Sequence, residues 1–145
     1  MTLIASVSGI RGTIGGEINQ NLTPVDVVAF AAAYGSWIKT KHSSATVVVG
    51  RDARISGPMV QTLVQQTLVS LGIDVIDVGL STTPTVEMEV VRKQAQGGII
   101  ITASHNPKQW NALKLLNNKG EFISAEAGAE PVSYTHLTLP TTRCG

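Results

Sequence analysis

The sequence predicts an α/β fold built on a mostly parallel sheet, and three observations carry that expectation. Thr46–Val49 and Ile99–Ile101 are short apolar runs without a wet face, as buried parallel strands require. Between them lie segments with helical periodicity and capping residues at their starts. Strands alternating with helices of this length form crossover units that return each strand to the same sheet.

The elements follow in order. Leu3–Val7 is a short apolar strand. Thr23 and Pro24 open a helix as N-cap and first helical residue. Val27, Phe30, Ala31, Tyr34 and Ile38 share its inner face. Thr46–Val49 follows as a buried parallel strand. A second helix starts at Ser56-Gly57-Pro58, turns Val60, Leu63, Val64, Thr67 and Leu71 inward, and closes on Gly72 in a left-handed cap. Asp74–Val78 is the next strand, Thr83-Pro84 starts a helix to about Gln94, and Gly97-Gly98 leads into Ile99–Ile101. Leu113–Leu116, the turn Asn117–Gly120 and Glu121–Ile123 read as a closing hairpin. Neither an internal repeat nor a low-complexity linker interrupts the pattern.

The 145 residues suit one domain, and 43% hydrophobic against 14% charged residues excludes charge-driven disorder. A net charge of +1 argues against nucleic-acid or anionic-membrane binding through bulk charge. No apolar run is long enough to cross a bilayer, and no signal-peptide pattern opens the chain. A single cysteine builds neither a disulfide framework nor a zinc site. A soluble, cytoplasmic domain without nucleic-acid or membrane partners is expected.

Residues 132–145 stand apart. Val132–Thr141 reads without a mismatch as the translation of a transposon-end sequencing adapter, so the natural domain is expected to span residues 1–131 and the protein to continue beyond Pro131. Setting the tail aside removes the lone Cys144 and one arginine, which takes the net charge from +1 to zero.

In such sheets ligands sit beyond the carboxyl ends of the strands. That rim collects Ser8–Gly12, Gly50–Gly57, Gly79–Pro84 and Thr102–Pro107. Arg11, Arg51, Arg54 and many hydroxyls, with few carboxylates, point to an anion such as phosphate. Ser56 and Thr83 read as helix caps, and Asp52 as a residue that pins its loop through Arg51, Arg54 or backbone N–H groups. Ser104 differs, because a serine presented straight after a buried strand can act as a nucleophile or phosphoryl carrier. His105, Lys108 and Lys114 lie close in sequence and supply donors or positive charge.

Thr102-Ala103-Ser104-His105-Asn106-Pro107, followed by Trp110-Asn111-Ala112-Leu113-Lys114, resembles the active-site serine loop of the α-D-phosphohexomutases. That superfamily contains phosphoglucomutases, phosphomannomutases and phosphoglucosamine mutases. Ser8–Gly12 is similar to its Gly-Ile-Arg-Gly motif, Gly50–Gly57 to its Gly-Arg-Asp-x-Arg-x-Ser-Gly stretch, and Thr83-Pro84 to its Thr-Thr-Pro turn. The resemblance implies the first of four domains, a three-layer α/β/α sandwich with a mixed, mostly parallel sheet, partnered by three further domains of the same chain.

By the same resemblance, Ser104 carries the transferred phosphate and its phosphate is one ligand of Mg²⁺. Lys114 stands beside the transferring group, Arg11 faces the phosphoserine, and His105 supports the loop or phosphate oxygens. The implied substrate is a phosphosugar whose phosphate moves between the 1- and 6-positions through a bisphosphorylated intermediate. The phosphoglucosamine branch is favoured, with phosphoglucomutase or phosphomannomutase, or a non-catalytic phosphosugar-binding relative, as alternatives. Two departures stand out. Ala112 replaces the family's glycine, harmless if the position is extended, and Ser8 stands where many members carry Asp or Tyr. No Asp-x-Asp-x-Asp metal loop occurs in the chain, so the other Mg²⁺ ligands are expected in a following domain and this polypeptide alone is expected to be inactive.

Overall fold

The computed structural model of the protein describes residues 1–6 and 9–123. Ser8 of the first motif and the tail from Val132, with Cys144, lie outside the described residues.

Six strands and three helices alternate along the described residues. They are β1 (Ile4–Ser6), β2 (Gly9–Thr13), α1 (Pro24–Lys41), β3 (Thr46–Arg51), α2 (Gly57–Ser70), β4 (Asp74–Leu80), α3 (Thr83–Arg92), β5 (Gly97–Ile101) and β6 (Trp110–Leu116). The strands form one sheet in the order β1-β2-β6-β5-β3-β4. β3 pairs in parallel with β4 and β5, while β1–β2, β2–β6 and β6–β5 are antiparallel. β2, β3, β4 and β5 therefore run one way, and the sheet is mixed as expected.

Alternation of side chains sorts the strands between two cores. Val47, Val49, Ile99, Ile101, Leu113 and Leu115 face α1 and α2, where they meet Phe30, Tyr34, Ile38, Val64 and Leu68. Val48, Ile100 and Leu116 face α3 through Val86 and Val90. The architecture is thus the three-layer α/β/α sandwich.

Helix α1 begins as its sequence dictates. Thr23 caps it from an extended conformation and Pro24 follows at the first turn. Asp26 completes a reciprocal capping box by accepting from the Thr23 backbone N–H. In α2 the inward line is Val60, Val64 and Leu68 with Gln61 beside it, so Leu63, Thr67 and Leu71 are only partly buried rather than central. Gly72 adopts the expected positive φ, +79°.

Three expectations need correction. Gly9–Gly12 is not a rim loop, because Gly9–Thr13 is a full strand held between β1 and β6. Ser56 occupies the N-cap position of α2 but makes no capping hydrogen bond; its Oγ accepts from Asn111 Nδ2 instead. Thr82, not Thr83, caps α3, with its Oγ1 accepting from the Thr85 N–H. The closing hairpin is present but short, with one antiparallel bridge, Leu116 to Phe122, flanked by bonds from the Asn117 N–H to the Glu121 carbonyl and the Ile123 N–H to the Leu115 carbonyl.

Tyr34 ties the upper layer to the sheet centre. Its hydroxyl donates to the Leu116 carbonyl at 2.6 Å and accepts from the Gly98 N–H at 3.0 Å. Gly97 is required by this approach, since a Cβ there would lie 2.1 Å from the tyrosine hydroxyl. Tyr34→Phe is expected to cost about 1–3 kcal/mol, because it leaves buried backbone groups without their partner. Burial, opposed by the Gly98 hydrogen bond, holds the phenol well above its ordinary pKa of 10.0. The unfolded chain therefore ionises first as pH rises, and the native state loses stability above pH 10. Urea melts at pH 8 and 11 check this: the pH-dependent loss should shrink in Tyr34→Phe, and an unchanged loss would exclude Tyr34 as its source.

Candidate active site

β3 and β5 are neighbours, yet the chain leaves β3 toward β4 on one side and leaves β5 toward β6 on the other. This is the switch point at which loops part and a crevice opens. It sets the loop after β3, with Asp52 and Arg54, against the loop after β5, with Ser104.

Ser104 is exposed and adopts a left-handed backbone, φ +52°. For a residue with a Cβ this costs about 1–2 kcal/mol. The loop around it is braced from within: the Asn106 N–H donates to the Ala103 carbonyl at 3.0 Å, and the Trp110 N–H to Pro107 at 2.9 Å. Thr102 Oγ1 accepts from the Ser104 N–H at 3.2 Å and donates to Asp52 Oδ2 at 2.7 Å.

Lys114 reaches this serine from β6. Antiparallel pairing sets Lys114 opposite Ile100, which places its side chain alongside the end of β5. Its Nζ donates to Ser104 Oγ at 2.8 Å. Arg11 lies on β2 opposite Ala112, and Gly9 lies opposite Lys114, so Arg11 and Lys114 share one face of the sheet. Both line a groove of about 250 Å³ together with Ile4, Ser6, Gly9 and Ala112. His105 is exposed on the serine loop, as is Lys108. Ala112 sits buried in extended strand geometry, so a side chain is tolerated where the resemblance had suggested glycine.

The other two rim arginines do not face an open anion site. Arg51 donates through Nε to Gln61 Oε1 at 2.8 Å and through a terminal nitrogen to the Asp52 carbonyl at 3.2 Å. Arg54 turns into the serine loop and binds carbonyl oxygens. Asp52 pins its loop as read from the sequence, accepting from the Arg54 N–H at 3.1 Å and pairing with Arg54 Nε at 3.4 Å. Sequence reasoning missed the role of Arg54 because its partners are backbone atoms, which leave no residue pattern.

The fold and this site define a class: an α/β/α domain that presents a strained serine in contact with a lysine at its strand ends. Residues 3–132 match the family model described as phosphoglucomutase/phosphomannomutase, alpha/beta/alpha domain I. The chain belongs to that family. It is 40% identical over 121 residues to a phosphoglucomutase/phosphomannomutase of Thermococcus kodakarensis, covering 81% of this chain and 26% of that one. A phosphoglucosamine mutase of Pediococcus pentosaceus is 39% identical over 126 residues, covering 84% and 27% respectively. A crystal structure from Thermus thermophilus, provisionally named a phosphomannomutase, superposes with a TM-score of 0.83 at 26% identity, over 93% of this chain and 30% of that one. The chain thus spans about a quarter of the length of the curated relatives it matches.

Proposed function

We propose that this chain supplies the serine-bearing first domain of a phosphohexomutase, an intramolecular phosphotransferase acting on hexose or hexosamine phosphates. The observation that carries the reading is the 2.8 Å contact of Lys114 Nζ with Ser104 Oγ on an exposed left-handed turn. A serine hydroxyl is both a weak nucleophile and a poor leaving group, and an ammonium donating to Oγ stabilises the alkoxide character it gains in either direction.

In the first transfer the bond between phosphorus and Ser104 Oγ breaks as the sugar oxygen bonds to phosphorus. The sugar proton ends on Oγ, with Lys114 placed to relay it. The bisphosphorylated sugar reorients and returns its other phosphoryl group to Ser104, so phosphate moves between the 1- and 6-positions. Arg11, in the groove with Lys114, and His105, on the serine loop, offer donors to phosphate oxygens.

A phosphate on Ser104 offers hard oxygens suited to Mg²⁺. Asp52, on the facing loop, is engaged by Arg54 and Thr102, and no group of three His, Cys, Asp or Glu that could hold a metal occurs among the described residues. In this reading phosphorylated Ser104 would be this chain's ligand to Mg²⁺, and a following domain would supply the others. When bound, the ion neutralises charge on the transferring phosphoryl group. Residues 1–131 form the domain in this reading, residues 132–145 are an adapter-derived tail, and three further domains complete the enzyme.

Within the family we favour the phosphoglucosamine branch, in line with the name of the Pediococcus relative. The proposed setting is cytoplasmic; no helix among the described residues is long and apolar enough to cross a membrane. Phosphopeptide mapping of a full-length protein carrying this domain tests the mechanism, and phosphate is expected on Ser104. A fully active preparation with Ser104 unmodified would overturn it. Lys114→Met should lower kcat by about 10²–10³-fold, the effect of removing one charged donor from a developing oxyanion. Steady-state assays with glucosamine, glucose and mannose phosphates measure that loss and rank the substrates.

A further inference from the structure

We propose that Arg54 is a positioning residue that sets the conformation of Ser104 by binding the backbone of its loop. The inference rests on the reading of Ser104 as the phosphoryl carrier and concerns what holds that serine in place.

Every N–H of the Arg54 guanidinium has an acceptor. One terminal nitrogen donates to the Ser104 carbonyl at 2.9 Å and the Asn106 carbonyl at 2.8 Å. The other donates to the Pro107 carbonyl at 2.6 Å and the Trp110 carbonyl at 3.1 Å. Nε faces Asp52 Oδ2 at 3.4 Å. The side chain is 12% exposed, and its bonds to the Asn106 and Trp110 carbonyls are partly buried.

The bond to the Ser104 carbonyl fixes the peptide plane that follows the serine. The Ser104 N–H is fixed on the other side by Thr102 Oγ1, which is itself bound to Asp52 Oδ2. Asp52 and Arg54 therefore hold Ser104 from both flanks and stabilise a φ of +52° that a serine otherwise avoids. With the backbone held, Oγ meets Lys114 Nζ. The site requires arginine: lysine is a point charge with three donors and cannot reach four carbonyls with the planar fork of a guanidinium.

The experiment is heteronuclear NMR on the 145-residue chain. Carbon shifts and the amide coupling of Ser104 report its left-handed φ, and the Lys114 Nζ resonance reports its contact. Wild type should show both signatures. Arg54→Lys should lose both, whereas Gln61→Ala, which cuts the Arg51–Gln61–Asp77 chain and leaves the side chains of Asp52 and Arg54 bonded, should lower the melting temperature and keep both. Ser104 and Lys114 signals unmoved in Arg54→Lys, or moved equally in Gln61→Ala, would overturn the inference.

If Arg54→Lys does not fold, the wild-type chain decides. Slow exchange of the Arg54 terminal protons with scalar coupling to the four carbonyls supports the clamp, and averaged, fast-exchanging protons refute it. These readouts do not involve catalysis. An active full-length protein without phosphate on Ser104 would remove the carrier reading and leave the clamp standing, while unmoved signals would do the reverse.

Discussion

Ser104→Ala in a full-length protein carrying this domain is expected to lower mutase turnover by about 10⁴–10⁶-fold, the scale seen when a covalent nucleophile is deleted. The hydroxyls of Thr102 and Ser56 are already engaged, Thr102 Oγ1 by Asp52 and the Ser104 N–H, and Ser56 Oγ by Asn111. The fold should survive, because Ser104 is exposed and its side chain fills no core space. Ser104→Gly sharpens the test. Glycine relieves the positive φ, so that variant should be more stable than Ser104→Ala by about 1 kcal/mol and equally inactive. Thermal melts alongside a coupled mutase assay measure the two effects; retained turnover in either variant would end the phosphoserine mechanism.

Gly9→Ala is expected to destabilise the domain by about 4 kcal/mol or more, among the largest single-substitution effects. Gly9 has φ +151°, a conformation left almost wholly to glycine, and an added Cβ would sit 1.9 Å from the Leu113 carbonyl oxygen. That oxygen belongs to the backbone of the adjacent strand and cannot swing aside as a side chain would. Relief requires β2 to part from β6 next to Lys114. Urea denaturation of the variant should show a much lower midpoint, with hydrogen exchange fastest in β1 and β2. A midpoint within experimental error of wild type would mean that β2 does not pack this closely.

The sequence exposed some levels of this structure and hid others, for physical reasons. Thr23 and Pro24 act within one helical turn, and the buried faces of α1 and β3 follow from local periodicity, so they could be read without distant partners. β2 could not. Gly9 and Gly12 carry no hydrophobic signal, Arg11 breaks the apolar pattern, and the strand exists because β6 pairs with it from far along the chain. The misplaced cap at Thr82-Thr83 shows the same limit at short range, since both residues can cap and only the entry angle of the chain selects one. Ser104 and Lys114 were legible as residue types through their motif. Their contact depended on the register of β5 against β6, and the Arg54 clamp on carbonyl positions, neither of which is written in residue identity.

The sheet order has a consequence for synthesis on the ribosome. Among the described residues β6 is the last strand in the sequence, yet it lies between β5 and β2. Until Trp110–Leu116 emerges, the nascent chain carries two unfinished halves, each with a raw hydrogen-bonding edge open to pairing with other chains. Tyr34 must wait as well, because its carbonyl partner is Leu116. The domain therefore closes late and in one step, and a transcript cut short before β6 would yield a product prone to aggregate rather than a smaller stable fold.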